Sequence, residues 1–169
     1  MADMLIESLE MPTGKLYRNG LTLGMGGNPK PVGGKRGLVV GWSPSAVRRH
    51  TRWLYSVDAS RLDGQGYSLT LTLRDCPADA ATWAALRVAY LKRLDRTGFV
   101  LRSHWVTEWT ARKVPHMHLA VYLTTELSTD EARALLVQPW LEVARGYGSG
   151  PFGQHIAPIH GAIGWLEYL

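Results

Sequence analysis

The sequence predicts an α+β domain: a ferredoxin-like/RRM-like antiparallel sheet built in the order βαββαβ, with helices on one face and an N-terminal extension. Three observations predict it. Tyr67 to Leu73 (YSLTLTL) alternates strictly between apolar and hydroxyl side chains, the mark of a half-buried strand. His104 to Leu123 reads as two strands joined by a short turn from Ala111 to Val114. Helical spacing of apolar residues separates the first strand from this pair and recurs after it.

Each element has a local cause. Residues 1–36 read as a flexible basic arm, because Gly24 to Gly37 (GMGGNPKPVGGKRG) replaces a hydrophobic period with Gly, Pro and the cations Lys30, Lys35 and Arg36. A plain leader and a DNA-touching arm both fit that composition. Leu38 to Trp42 fits a short strand. Ser43-Pro44 then supplies an N-cap and a first-turn proline for a helix through about Val57, with Val47, Leu54 and Tyr55 facing inward. Arg48, Arg49 and Arg52 cluster on another side, as a solvated face or as phosphate contacts.

After the YSLTLTL strand, Pro77 opens a helix through about Arg96, ended by Gly98, with Trp83, Leu86, Tyr90 and Leu94 at helical spacing. The paired strands follow. Ser128 and Glu131 form a capping box for a helix toward Arg145, bent or broken near Pro139. GYGSGPFG is a loop, Gln154 to Ile159 the last strand, and Gly161 to Leu169 a last helix.

The chemistry is concentrated in the paired strands. Side chains alternate with a period of two, so His116, His118, Ala120 and Tyr122 share one face, and Met117, Leu119, Val121 and Leu123 the other, apolar one. His104, Val106 and Glu108 share a face of the preceding strand, and the short turn folds Glu108 back beside the histidines. Two imidazoles and a carboxylate on adjacent strands make a three-ligand metal site with open positions. A pair of solvent-facing histidines would give the same H-x-H. The open face would also carry Thr70 and Thr72, while Trp105 and Trp109 fall on the core side by the same alternation.

Composition narrows the classes. At 169 residues the chain suits one domain, and a net charge of +5 with a pI near 9.6 points mildly to a polyanionic partner. A single cysteine, Cys76, excludes an internal disulfide and a Cys-rich zinc site and fits a reducing compartment. The opening MADMLIESLEM lacks the basic and apolar regions of a secretory signal, and no run approaches the ~18 apolar residues of a membrane span. A cytoplasmic location without membrane contact follows as the expectation.

Taken in order, these motifs resemble the HUH endonucleases, and within them the rolling-circle replication initiators (Rep proteins). Tyr67 to Leu73 is similar to their first motif, His116-Met117-His118 to the name-giving His–hydrophobe–His, and Glu108 stands where viral Reps carry a third metal ligand. Tyr168 falls on the last helix, where the family keeps its nucleophilic tyrosine; packing of a terminal aromatic on the core is the alternative. Gly161, Gly164, Trp165 and Tyr168 would share a face of that helix. Reps follow this tyrosine with a lysine three positions on, which here falls beyond Leu169. The resemblance covers residues 67–169 and makes residues 37–169 an endonuclease domain.

The resemblance implies a mechanism. A divalent metal, Mn²⁺ or Mg²⁺, is held by Glu108, His116 and His118, and Tyr168 cuts single-stranded DNA to leave a 5′-phosphotyrosine and a free 3′-hydroxyl. It implies an origin hairpin as substrate, with the helicase and polymerase of the host as partners. Arg48, Arg49, Arg52, Arg112 and Lys113 would contact phosphates, and Trp105, Trp109 and Tyr122 are candidate stacking platforms. His104 and His160 would stand near the site or be incidental surface residues. Three rivals share features of this reading. An insertion-sequence transposase has a similar core, a relaxase has its tyrosine near the N-terminus, and a non-catalytic RRM-type module would carry aromatics on the open face where this chain has Thr and His.

Overall fold

A computed structural model describes residues 12–17, 20–25 and 43–161. The chain divides into two units, Met1–Asp58 and Ala59–Leu169. In the first, β1 (Pro12–Tyr17) and β2 (Gly20–Met25) form an antiparallel hairpin, Pro12 opposite Met25 and Tyr17 opposite Gly20. So the segment expected to be an irregular arm holds paired strands in its described part. The expected strand over Leu38 to Trp42 and most of the Gly/Pro run lie outside the described residues.

Helix α1 (Pro44–Ser56) starts as its sequence dictates: Ser43 Oγ accepts the Ala46 N–H at 3.2 Å, and Pro44 occupies the first turn. The Tyr17 and Tyr55 rings lie 6.4 Å apart and join this helix to the hairpin. No α1 residue is buried, and Val47, expected to face inward, is exposed.

The second unit has the predicted architecture. Its elements are β3 (Gln65–Leu71), α2 (Ala80–Asp95), β4 (Val100–Trp109), β5 (Pro115–Leu123), α3 (Thr129–Leu136), α4 (Gln138–Val143) and β6 (His155–Pro158). The four strands form one antiparallel sheet in the order β4-β5-β3-β6, as βαββαβ connectivity requires. Tyr67, Leu69 and Leu71 on β3 and Met117, Leu119, Val121 and Leu123 on β5 are fully buried. Trp83, Tyr90 and Leu94 of α2, Leu136 of α3 and Trp140 of α4 cover them. Each large side chain buried this way is worth about 1.5–3 kcal/mol.

Polar groups in this core are paired. Tyr90 Oη donates to the Leu136 carbonyl at 2.9 Å, Trp140 Nε1 to the Thr72 carbonyl at 3.2 Å, and Trp83 Nε1 to Thr107 Oγ1 at 3.1 Å. The Trp140 ring meets Trp83 and Tyr90 edge-on, at 5.9 and 5.6 Å. One boundary differs from expectation. Helix α2 begins after Asp79 and not at Pro77, because Asp79 Oδ1 takes the Thr82 N–H at 2.7 Å. The helix expected from Ser128 is broken near Pro139 as expected, into α3 and α4 parted at Val137, because the proline ring nitrogen has no hydrogen to donate. The Ser128–Glu131 capping box is formed. Among the described residues no helix is long and apolar enough to cross a membrane.

Candidate metal centre

The site is set by strand register. The β4–β5 turn is closed by Thr110, whose N–H and hydroxyl both donate to the Val114 carbonyl at 3.0 Å. Lys113 completes it with φ 60°, a left-handed conformation that side-chain-bearing residues rarely hold. That turn puts Glu108 directly opposite His116 and Val106 opposite His118, while β3 brings Thr70 to the other side of His118. Directly opposed residues project from the same face of a sheet. Glu108, His116 and His118 therefore converge on the face away from the helices.

The three side chains meet closely. Glu108 Oε2 lies 3.2 Å from His118 Nε2 and 3.5 Å from His116 Nε2, and the two imidazole nitrogens are 2.9 Å apart. The rings stand nearly perpendicular, 85° between planes with centroids 4.5 Å apart. His118 is buried, His116 half-buried, and Glu108 about half open to solvent. Among the described residues this is the one group of three or more His, Cys, Asp or Glu side chains gathered tightly enough to hold a metal ion.

The donor set passes a test of size. A triangle with sides of 2.9, 3.2 and 3.5 Å has a circumscribed radius of about 1.9 Å, so a point about 2.1 Å from all three atoms exists just off its plane. That matches ordinary bonds from imidazole nitrogen and carboxylate oxygen. Thr70 Oγ1 stands 3.1 Å from His118 Nδ1. With Nε2 as the ligand atom, Nδ1 carries the proton and donates it to this hydroxyl, an outer contact that fixes tautomer and ring orientation. Burial lowers the His118 pKa, and neighbouring His116 lowers it further, against a smaller opposing pull from Glu108. A neutral imidazole is the ligating form.

The other expected site residues are placed variously. Arg112 and Lys113 are exposed on the turn between the two ligand-bearing strands. Arg48, Arg49 and Arg52 are exposed on α1, in the first unit. Tyr168 lies outside the described residues. His104 is opposite Ala120, four residues and so roughly 13 Å along β4 from Glu108. His160 follows Ile159, whose N–H donates to the Gly66 carbonyl at the opposite end of β3 from His118's partner. Neither belongs to the triad.

The aromatic expectations change most. Tyr122, expected as a platform, is buried, because its ring lies across Gly66: a Cβ there would stand 2.8 Å from Tyr122 Cε1. Trp105 and Trp109, expected in the core, are 36% and 67% exposed. They do lie on the helix side, but β4 is the edge strand: Trp83 reaches it at Thr107, and Arg87 stacks 4.2 Å over Trp105 without enclosing it. Thr70 is the contact that sequence reasoning passed over. Its face was legible from the alternation, its position opposite His118 was not.

Similarity to known proteins agrees with this geometry. Residues 66–164 match the family model of the replication-associated protein ORF2. Over 163 residues the chain is 44% identical to each of two candidate replication proteins of Xylella fastidiosa, from strains Temecula1 and 9a5c, covering 94% of this chain and 59% and 55% of theirs. It is 39% identical to a replication-associated protein of Pseudomonas phage Pf3, covering 92% of this chain and 56% of that protein. The chain thus spans somewhat over half the length of these relatives. With the match running from the first strand of the sheet, through the Glu108–His116–His118 cluster, to beyond the last strand, the chain belongs to the family of the replication-associated protein ORF2.

Proposed function

We propose that this chain is an HUH-type nicking endonuclease that starts rolling-circle replication by cutting one strand of an origin. The observation that carries the reading is the Glu108–His116–His118 triangle, sized for a divalent ion and open on the side away from the core. A cation held there, Mn²⁺ or Mg²⁺, supplies charge that polarises a phosphate and stabilises the oxygens of the transition state. Mixed nitrogen and oxygen ligands suit Mn²⁺ better, although Mg²⁺ is the commoner cellular ion.

In this reading Glu108, His116 and His118 would hold that cation, and Thr70 keeps His118 in its ligating tautomer. Tyr168 is the nucleophile. Its phenol, with an ordinary pKa near ~10, gives up a proton as Oη bonds to phosphorus, the P–O3′ bond breaks, and the 3′-oxygen takes a proton. The products are a 5′-phosphotyrosine and a 3′-hydroxyl that primes a host polymerase, with a helicase opening the duplex ahead. Arg112 and Lys113 border the site as phosphate contacts, and Arg48, Arg49 and Arg52 of the first unit are further phosphate contacts. The substrate is single-stranded at the cut, as in an origin hairpin, because a phosphate held between cation and tyrosine needs an unconstrained backbone.

A denaturing gel of labelled single-stranded origin DNA with Mn²⁺ tests this. Wild type gives a covalent adduct on the new 5′ end made by the nick, and Tyr168→Phe gives none while still binding Mn²⁺ and DNA. An adduct that persists in Tyr168→Phe moves the nucleophile to another tyrosine. Tight single-strand binding with no adduct and no Mn²⁺ uptake favours a binding module of the RRM type.

A further inference from the structure

The loop before β6 and the first residue of that strand carry two side chains that the triad leaves unexplained. Phe152 is fully exposed, at 102%, the most open large apolar side chain among those described. The turn that bears it, Pro151–Gly153, is nonetheless tightly held. The Thr72 hydroxyl donates to the Gly153 carbonyl at 2.8 Å, and Arg133 reaches over from α3 to the carbonyls of Pro151 and Gln154, at 2.7 and 3.2 Å. The buried Gln154 amide accepts the Thr72 N–H at 2.7 Å and donates to the Gly150 carbonyl at 2.9 Å. A polar frame of this kind fixes a loop, and an aromatic left in water on a fixed loop is a surface made ready for a flat partner.

The place of this turn selects the partner. Thr72 is one residue beyond Leu71, whose cross-strand neighbour is Met117, between the two ligand histidines. The turn therefore sits at the triad's end of the sheet. His155, next after the clamped Gln154, is directly opposite Thr70, and Thr70 is hydrogen-bonded to His118. So a third imidazole, exposed, stands on the triad's face, two strands and about 10 Å from His118.

We propose that Phe152 and His155 form the second wall of the path of the single strand: Phe152 stacks on an unpaired base, and His155 donates a hydrogen bond to a phosphate beside the one at the triad. The inference rests on the reading above, that single-stranded DNA lies across this face. Aromatic stacking needs only a base's π-face and no sequence. Arg112 and Lys113 border the triad on the β4–β5 side, and Phe152 and His155 on the β6 side.

The test is fluorescence anisotropy of labelled single-stranded oligonucleotides on the full chain. Phe152→Ala should weaken binding about tenfold and Phe152→Trp restore it. His155→Ala should weaken binding about fivefold. Scanning one abasic nucleotide along the oligonucleotide should find a position where Phe152→Ala no longer matters, and one neutral methylphosphonate linkage nearby should do the same for His155→Ala. Mn²⁺ affinity should be unchanged in every variant. If wild type binds the oligonucleotide and both alanine variants bind equally well, the wall is overturned while the nickase reading stands. The wall is equally overturned if their losses persist at every scanned position or if Mn²⁺ affinity falls with them. A wild type that binds no single strand overturns both.

Discussion

The two faces of β5 set stability against chemistry within nine residues. Met117, Leu119, Val121 and Leu123 point to the helices and are fully buried. His116 and His118 point the other way, and His118 is almost as buried as they are, at 4% exposed. The difference lies in what covers them. The apolar row is covered by side chains of α2, α3 and α4, and its burial is favourable outright. His118 is enclosed by the neighbouring strands, with Val106 on one side and Thr70 on the other, and its burial disfavours the charged form. A central strand thus gives its ligands a dry floor, while the helices on the other face hold that floor still.

If this division holds, substitutions on the two faces fail in different assays. The largest effect belongs to the double change His116→Ala, His118→Ala, which should remove measurable Mn²⁺ binding in a calorimetric titration while the circular dichroism of the sheet is kept. Two nitrogens of three donors are lost, and neither supports the apolar core. Unchanged Mn²⁺ uptake in that variant would sink the site. Leu119→Ala is the counterpart, expected to cost about 2–5 kcal/mol in urea unfolding, because Leu119 is fully enclosed and leaves a cavity. Below its unfolding transition it should still bind Mn²⁺ close to normally. A Leu119→Ala protein that is stable but metal-blind would mean the faces are not separable.

Thr70→Val sharpens the comparison at its boundary. The shape is kept and the hydroxyl facing His118 Nδ1 is lost, so Mn²⁺ affinity should drop about 10- to 100-fold. No change would mean that packing alone orients the ring. Protonation gives an independent measure of the same residue. The lowered pKa of His118 means that the unfolded chain takes up this proton before the folded one does. Its contribution to stability is therefore present above the ordinary value of 6.5 and lost as pH falls through the lower folded value. Metal-free wild type should weaken in urea melts as pH falls below 6.5, and His118→Gln should flatten that dependence. A slope that is equally steep in His118→Gln would assign the proton uptake to another group.

How much of this was legible in the sequence follows from how local each cause is. The sheet, its order and the face of each triad residue come from alternation and from one short turn, all encoded within a few residues. The capping box of α3 and the cap of α1 were legible for the same reason. What escaped depends on neighbours distant in sequence. Alternation assigns Trp105 and Trp109 to the helix side correctly, yet cannot say that β4 is an edge strand with too little above it to bury them. Tyr122 was assigned to the right face, but its ring is covered through a glycine 56 positions earlier. The hairpin of β1 and β2 did leave a local signal. Asn19-Gly20, a dipeptide favoured in hairpin turns, leads into β2 ahead of the Gly/Pro run.

The smallest expected effect concerns Lys113, where stability and chemistry compete in one residue. At φ 60° its Cβ crowds the backbone, a strain of roughly 1–2 kcal/mol that glycine would not pay, offset in part by the greater freedom of glycine in the unfolded chain. The turn needs that conformation to close: the Lys113 N–H donates to the Thr110 carbonyl at 2.8 Å, and the next residue, Val114, starts the pairing that aligns His116 with Glu108. Lys113→Gly should therefore stabilise the domain by about 0.5 kcal/mol in urea melts. The same change removes a cation from the rim of the site, so the logarithmic dependence of single-strand affinity on salt should become shallower by about 0.7. Lys113→Asn, which tolerates the left-handed region, should lose the same salt dependence. If Lys113→Gly instead destabilises, the turn is not strained at this position; if the salt slope is unmoved in both variants, the lysine is only a solvated tip. Gain in one assay with loss in the other would show a chain that keeps a less comfortable backbone in order to hold a charge beside its metal site.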